Sequence, residues 1–117
     1  MPTNHEALIH KAYSAFNSRD IDTALTAMHP EVQWPKAFVG GYATGHNEIR
    51  EYWTQQWTEI NPTVDPLAIH ERPDGTLEVT VHQKVKDLMG AQLFNGIVKH
   101  IYTLQDGLIQ RMDIETE

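Results

Sequence analysis

The stretch NGIVKHIYTLQDGLIQRMDIE, Asn95 to Glu115, decides how this chain folds. It reads as two strands joined by a tight turn at Asp106-Gly107. Each strand carries one ionisable side chain among apolar neighbours, His100 on the first and Asp113 on the second. Whether those two meet in an active site or belong to different faces of a sheet is the question the sequence raises.

Upstream of this hairpin the period of two persists as far as Thr63. Leu77 to Lys86 alternates, with Leu77, Val79, Val81, Gln83 and Val85 facing one way. Val64 to Glu71 is a further strand, and the intervening RPDG is a turn in which proline sets φ and glycine accepts a positive one. Gly90 to Leu104 and Leu108 to Glu115 complete a four-stranded meander.

Before Thr63 the period is 3.6. Thr3 and Glu6 make a capping box, and Leu8, Ala12, Tyr13 and Phe16 follow at helical spacing to about Ser18. Asp20 caps a second helix with Ile21, Ala24, Leu25 and Met28 inward, which His29-Pro30 ends. Glu31 to Trp34 reads as a short strand and PKAFVGGYATG as a loop. A third helix starts near His46 or Asn47 and ends before Asn61-Pro62, with Ile49, Trp53, Trp57 and Ile60 along one stripe. Helices first and strands second is the pattern of an α+β fold, with helices covering one face of a curved sheet.

The 117 residues fit one domain, 1–117, and 40% hydrophobic content is enough for a core. Nine basic against sixteen acidic residues leave a net charge of −7, which repels nucleic acid and anionic membranes. The densest basic run, Lys84-Val85-Lys86, is followed at once by Asp87. Without cysteine there is no disulfide, thiolate nucleophile or cysteine metal site. No leader pattern or membrane span is visible, so a soluble, cytoplasmic protein is expected. No His-x-x-x-His or similar spacing supports a metal, and no cofactor is expected.

AYSAFNSRDIDTALTAMHPEVQW, then TGHNEIREYW, then LQDGLIQRMDIE resembles the nuclear transport factor two-like superfamily, and within it the SnoaL-like and ketosteroid isomerase-like proteins. The resemblance runs from about His10 to Glu115. It implies a cone: three N-terminal helices against a strongly curved, mostly antiparallel sheet, with a pocket opening at the wide end. It places Tyr13, Phe16, Trp34, Phe38, Tyr42, Trp53, Trp57, Val98, His100, Tyr102 and Met112 around that pocket, where most also serve as core. His82, on a neighbouring strand, is expected near His100. Such a lining suits a small hydrophobic, ring-bearing ligand.

Activity does not follow from the fold, since this superfamily holds isomerases, cyclases, dehydratases, hydrolases and non-catalytic binding proteins. Carried over residue by residue, the isomerase's aspartate base falls on Lys36 or Pro35, neither of which can act as that carboxylate does. Its tyrosine falls on Ala12, one residue from Tyr13, and its protonated acid falls on His100. His100 is therefore the candidate hydrogen-bonding or acid/base group, against the plainer reading of a core histidine bonded to Tyr13 or a carbonyl. SnoaL-like cyclases use a strand aspartate as general acid/base, which makes Asp113 the second catalytic candidate. If Met112 and Ile114 face the pocket, however, alternation sends Arg111, Asp113 and Glu115 outward, unless a bulge between Gln110 and Asp113 reverses it. The family's outer sheet face commonly packs on a second subunit, so a homodimer through Lys99, Ile101, Thr103, Ile109 and Arg111 is expected. The remaining histidines, His5, His10, His29, His46 and His70, read as capping, exposed or turn residues, and Glu48, Glu51 and Glu59 as a solvated helix face.

Overall fold

A computed structural model of the chain describes residues 4–36 and 40–116. The Thr3 half of the capping box, and Phe38, lie outside the described residues. Helix α1 (Asn4–Asn17) and helix α2 (Ile21–Thr26) are joined by Arg19, whose φ of 61° turns the chain sharply. Asp20 caps α2: its carboxylate accepts from the Thr23 amide at 3.2 Å and the Thr23 hydroxyl at 2.7 Å. The helix closes at Thr26, earlier than His29-Pro30 suggests, and Met28 already belongs to strand β1 (Met28–Pro35). Pro30 is tolerated there because the β1 ladder is irregular between Met28 and Gln33, where its missing N–H is not demanded.

Strand β2 (Tyr42–Thr44) hairpins onto β1 and lies within the stretch read as loop from its prolines and glycines. Helix α3 (Gly45–Gln56) is followed by a turn, then by β3 (Ile60–Glu71), β4 (Leu77–Asp87), β5 (Gln92–Gln105) and β6 (Leu108–Thr116). Ile60 thus opens a strand rather than closing the α3 stripe. The sheet is six-stranded in the order β2-β1-β6-β5-β4-β3. Every pairing is antiparallel except β1 with β6, which is parallel. The sheet is curved, mixed and open, with the three helices on its concave side. No helix among the described residues is long and apolar enough to cross a membrane.

The register sets the inner face. Leu77, Tyr102 and Met112 form one row across β4, β5 and β6, and Val79, His100 and Ile114 form the next. Ile9, Ala12 and Tyr13 of α1 and Ile49 and Trp53 of α3 pack on these rows, all at most 5% exposed. Burying such side chains is worth roughly 1.5–3 kcal/mol each before conformational entropy is charged against it.

One irregularity changes a face assignment. Thr103 pairs with Arg111 but Leu104 pairs with Ile109, so Gln110 is an extra residue in β6. Ile109, expected on the outer face, is turned into the core by this bulge and is fully buried. The bulge precedes Arg111, so alternation from Arg111 to Ile114 is undisturbed.

Candidate functional site

His100 is the one buried polar or charged residue among the described residues, 5% exposed in the middle of β5. Helix α1 brings the Tyr13 hydroxyl to 2.7 Å from its Nδ1, and the Tyr102 hydroxyl lies 2.8 Å from that of Tyr13. The Tyr13 and His100 rings stack with centroids 5.9 Å apart and 16° between planes. Tyr13 has one proton to give. If it accepts from Tyr102 and donates to Nδ1, the imidazole carries its own proton on Nε2.

Burial lowers the His100 pKa to about 4. Burial also raises the Tyr13 phenol well above its usual range, with the neighbouring Tyr102 adding to it, and raises Tyr102 in the same direction. Near neutral pH the trio is therefore uncharged, a chain of hydrogen-bonding groups rather than an ion pair.

The trio forms part of the wall of a chamber of about 60 Å³, lined also by Phe16, Trp34, Trp53, Val64, Met112 and Ile114. That volume holds about two waters or one functional group of a ligand. Pro35, Tyr52, Gln56, Gln83 and Ile114 form a neck shared with a much wider mouth of about 1320 Å³. The outer part of the mouth carries Lys36, Glu48, Glu51, Glu59, Leu93, Phe94 and Val98.

The expected lining residues therefore divide. Tyr13, Phe16, Trp34, Trp53, His100, Tyr102 and Met112 do meet at the chamber, while Tyr42 and Val98 belong to the mouth, as does Asp113. Trp57 lines neither: it packs on Phe16 and Trp53 at centroid distances of 5.5 and 5.7 Å, under the Arg19 guanidinium. Phe16 and Trp34 each meet Trp53 edge to face, at 5.1 and 5.4 Å, so the rings fill much of the space they were expected to enclose.

His82 is not a neighbour of His100. It pairs with Ile97 on the outer face, and its Nε2 is 2.6 Å from Oδ1 of Asn95. Asp113 and Tyr42 are outer-face residues too. The Tyr42 hydroxyl donates to the Asp113 carboxylate, and Arg111 Nε donates to the same carboxylate at 3.0 Å. The guanidinium also stacks 4.8 Å from the Tyr42 ring. Asp113 pairs across the ladder with Ile101, one residue out of phase with His100, so the sheet separates the two candidate catalytic side chains. No group of three potential metal ligands occurs among the described residues.

Sequence reasoning passed over the neck. Tyr52, Gln56 and Gln83 are polar residues on otherwise apolar faces, and the position of Gln83 in an alternating run of valines is the signal that marks it.

Residues 9–112 match the model of the SnoaL-like domain. The chain belongs to the SnoaL-like family. No curated protein matches it significantly. Among solved structures, this SnoaL-like chain is similar to TerC co-crystallised with polyporic acid, at 27% identity and TM-score 0.85 over 98% of this chain and 92% of that one. It is similar in fold to an NTF2-like protein of unknown function from Burkholderia pseudomallei, at 21% identity and TM-score 0.85 over 99% and 92%. A Mycobacterium tuberculosis protein in complex with estradiol-17beta-hemisuccinate shares the fold at 12% identity and TM-score 0.83 over 99% and 95%.

Proposed function

We propose that this SnoaL-like protein binds a small, neutral, ring-containing hydrophobic molecule, seating the ring body in the mouth and one polar group in the chamber. The observation that carries this reading is the Tyr102, Tyr13, His100 chain at the chamber wall. It offers a hydrogen bond in an apolar setting, where leaving a ligand's polar group unpaired would be costly. The acidic lip of Glu48, Glu51 and Glu59 disfavours anions, as does the net charge. The complexes of TerC and of the mycobacterial protein support the ring-containing part of this reading, although both of those ligands carry acidic groups that the lip here would disfavour.

Non-catalytic binding is the better supported form of this function. No aspartate or glutamate lines the chamber among the described residues, and an imidazole with a pKa of about 4 is a weak base. What the trio can do for catalysis is polarise a carbonyl by donating to its oxygen, the contribution that would support isomerisation or cyclisation. Homodimerisation through the outer face, and a cytoplasmic location fitting the lack of cysteine, complete the proposal.

The test is intrinsic fluorescence, because Trp34 and Trp53 line the chamber. Titration with 17β-estradiol is expected to give saturable quenching, and titration with ATP none. A preference for ATP would overturn the reading.

A further inference from the structure

Gln83 is the anomaly of the inner face. It follows Leu77, Val79 and Val81 and precedes Val85, all of them at most 3% exposed, yet it carries a carboxamide into the same surface. Its row across the sheet is Val64, Gln83, Gly96, so neither ladder neighbour has a polar side chain to offer. Nor can a larger residue at 96 fill the gap freely, since a Cβ there would sit 3.1 Å from the Phe94 ring. Across the neck, the Gln56 amide donates to the Tyr52 hydroxyl at 3.3 Å, whereas the Gln83 carboxamide has no hydrogen-bond partner among the described residues. A half-buried amide with two donor hydrogens and an acceptor oxygen facing a cavity is a group waiting for a partner.

Its place in the register says where that partner would come from. His100 pairs with Val79, and Gln83 is four residues further along β4, which puts it roughly 13 Å from the His100 row at about 3.3 Å per residue. Both groups line the chamber, His100 at its inner wall and Gln83 at its neck, and about 60 Å³ cannot hold a whole ring-bearing molecule, so a ligand that touches both also occupies the neck.

Building on the binding reading above, we propose that Gln83 is a specificity-determining residue for this site. It selects elongated, neutral ligands that carry one hydrogen-bonding group for the His100 end and a second for the neck. A carboxamide both donates and accepts, so a hydroxyl or a carbonyl satisfies it equally, and an apolar far end leaves it unpaired.

The experiment compares two probes on wild type, Gln83→Leu and Gln83→Met. They are 17β-estradiol, with a hydroxyl at each end, and estra-1,3,5(10)-trien-3-ol, which keeps only the phenol. Wild type is expected to favour the diol by about 3- to 10-fold, the worth of one net hydrogen bond. Both variants are expected to bring that ratio close to one, with the mono-ol bound at least as tightly as by wild type because no carboxamide is left unpaired against its apolar end, and unchanged circular dichroism reports an intact fold. Equal affinity of wild type for the two probes, or variants that weaken both alike, would overturn the role of Gln83 while leaving the binding reading in place. Failure of wild type to bind either probe would instead remove the binding reading, and this inference with it.

Discussion

Nδ1 of His100 lies 2.7 Å from the Tyr13 hydroxyl across a separation of 87 residues, and that contact ties the first helix to the middle of the sheet. Both partners are at most 5% exposed, so little bulk water reaches either of them. Tyr13→Phe strips a donor from His100 and an acceptor from Tyr102 at once. The expected cost is about 1–3 kcal/mol in urea denaturation, because two buried polar groups lose a partner. In a cycle with His100→Leu the two losses are expected to be less than additive, since they break the same link.

His100→Leu is expected to weaken ligand binding by roughly 1–3 kcal/mol and to lower stability by a similar amount, because the Tyr13 hydroxyl loses its acceptor. Asp113→Asn is expected to leave binding within about twofold, as Asp113 lines the mouth but not the chamber and its carboxylate is held by Tyr42 and Arg111. Fluorescence titration of both variants checks the asymmetry. Loss of binding in Asp113→Asn with a silent His100→Leu would reverse the assignment.

Acid should destabilise the fold in a defined window. The His100 pKa is lowered from 6.5 unfolded to about 4 folded, so between those values the unfolded chain binds more protons and stability rises with pH. Taking pH from about 6.5 down to 4 is expected to remove on the order of 3 kcal/mol through this group alone. Chemical denaturation at several pH values measures the slope, and His100→Leu should flatten it by that amount.

Trp53 is 1% exposed and touches Phe16, Trp34 and Trp57. Trp53→Ala is therefore expected to cost about 3–5 kcal/mol, read as a drop in the thermal midpoint, because no neighbouring ring can collapse into a space that large.

Light scattering at micromolar concentration is expected to return twice the chain mass. The outer face offers such a partner Ile97, 44% exposed, beside a lattice in which Arg72 bonds Glu78 at 2.7 Å and Glu115 at 3.2 Å. A single-chain mass would count against the dimer.

The layout of the fold was largely legible because period and punctuation agree along most of the chain. Asp20, RPDG and Asp106-Gly107 all mark real boundaries. The failures have local causes. Trp53, Trp57 and Ile60 keep helical spacing across a point where the helix has already ended at Gln56, so the stripe outruns the element. Strand β2 is three residues long and flanked by glycines, too short to show a period. Ile109 was misplaced by one inserted residue, which leaves no mark in composition. For the site, alternation along β6 is enough to part Asp113 from His100. It cannot say whether four aromatic rings enclose a space or occupy it, since that depends on tilt angles no pattern encodes.

The Gln110 bulge gives the last strand an unusual tolerance to one particular loss. Thr103 pairs with Arg111 and Leu104 with Ile109, so without Gln110 the same pairings form an unbroken ladder, with Ile109 still in the core and Arg111 still outside. Deleting Met112 instead would leave Arg111 and Asp113 adjacent, and one of those two charges would have to face inward. Reading frame, in this strand, is a structural quantity: the chain counts residues there more strictly than it chooses them.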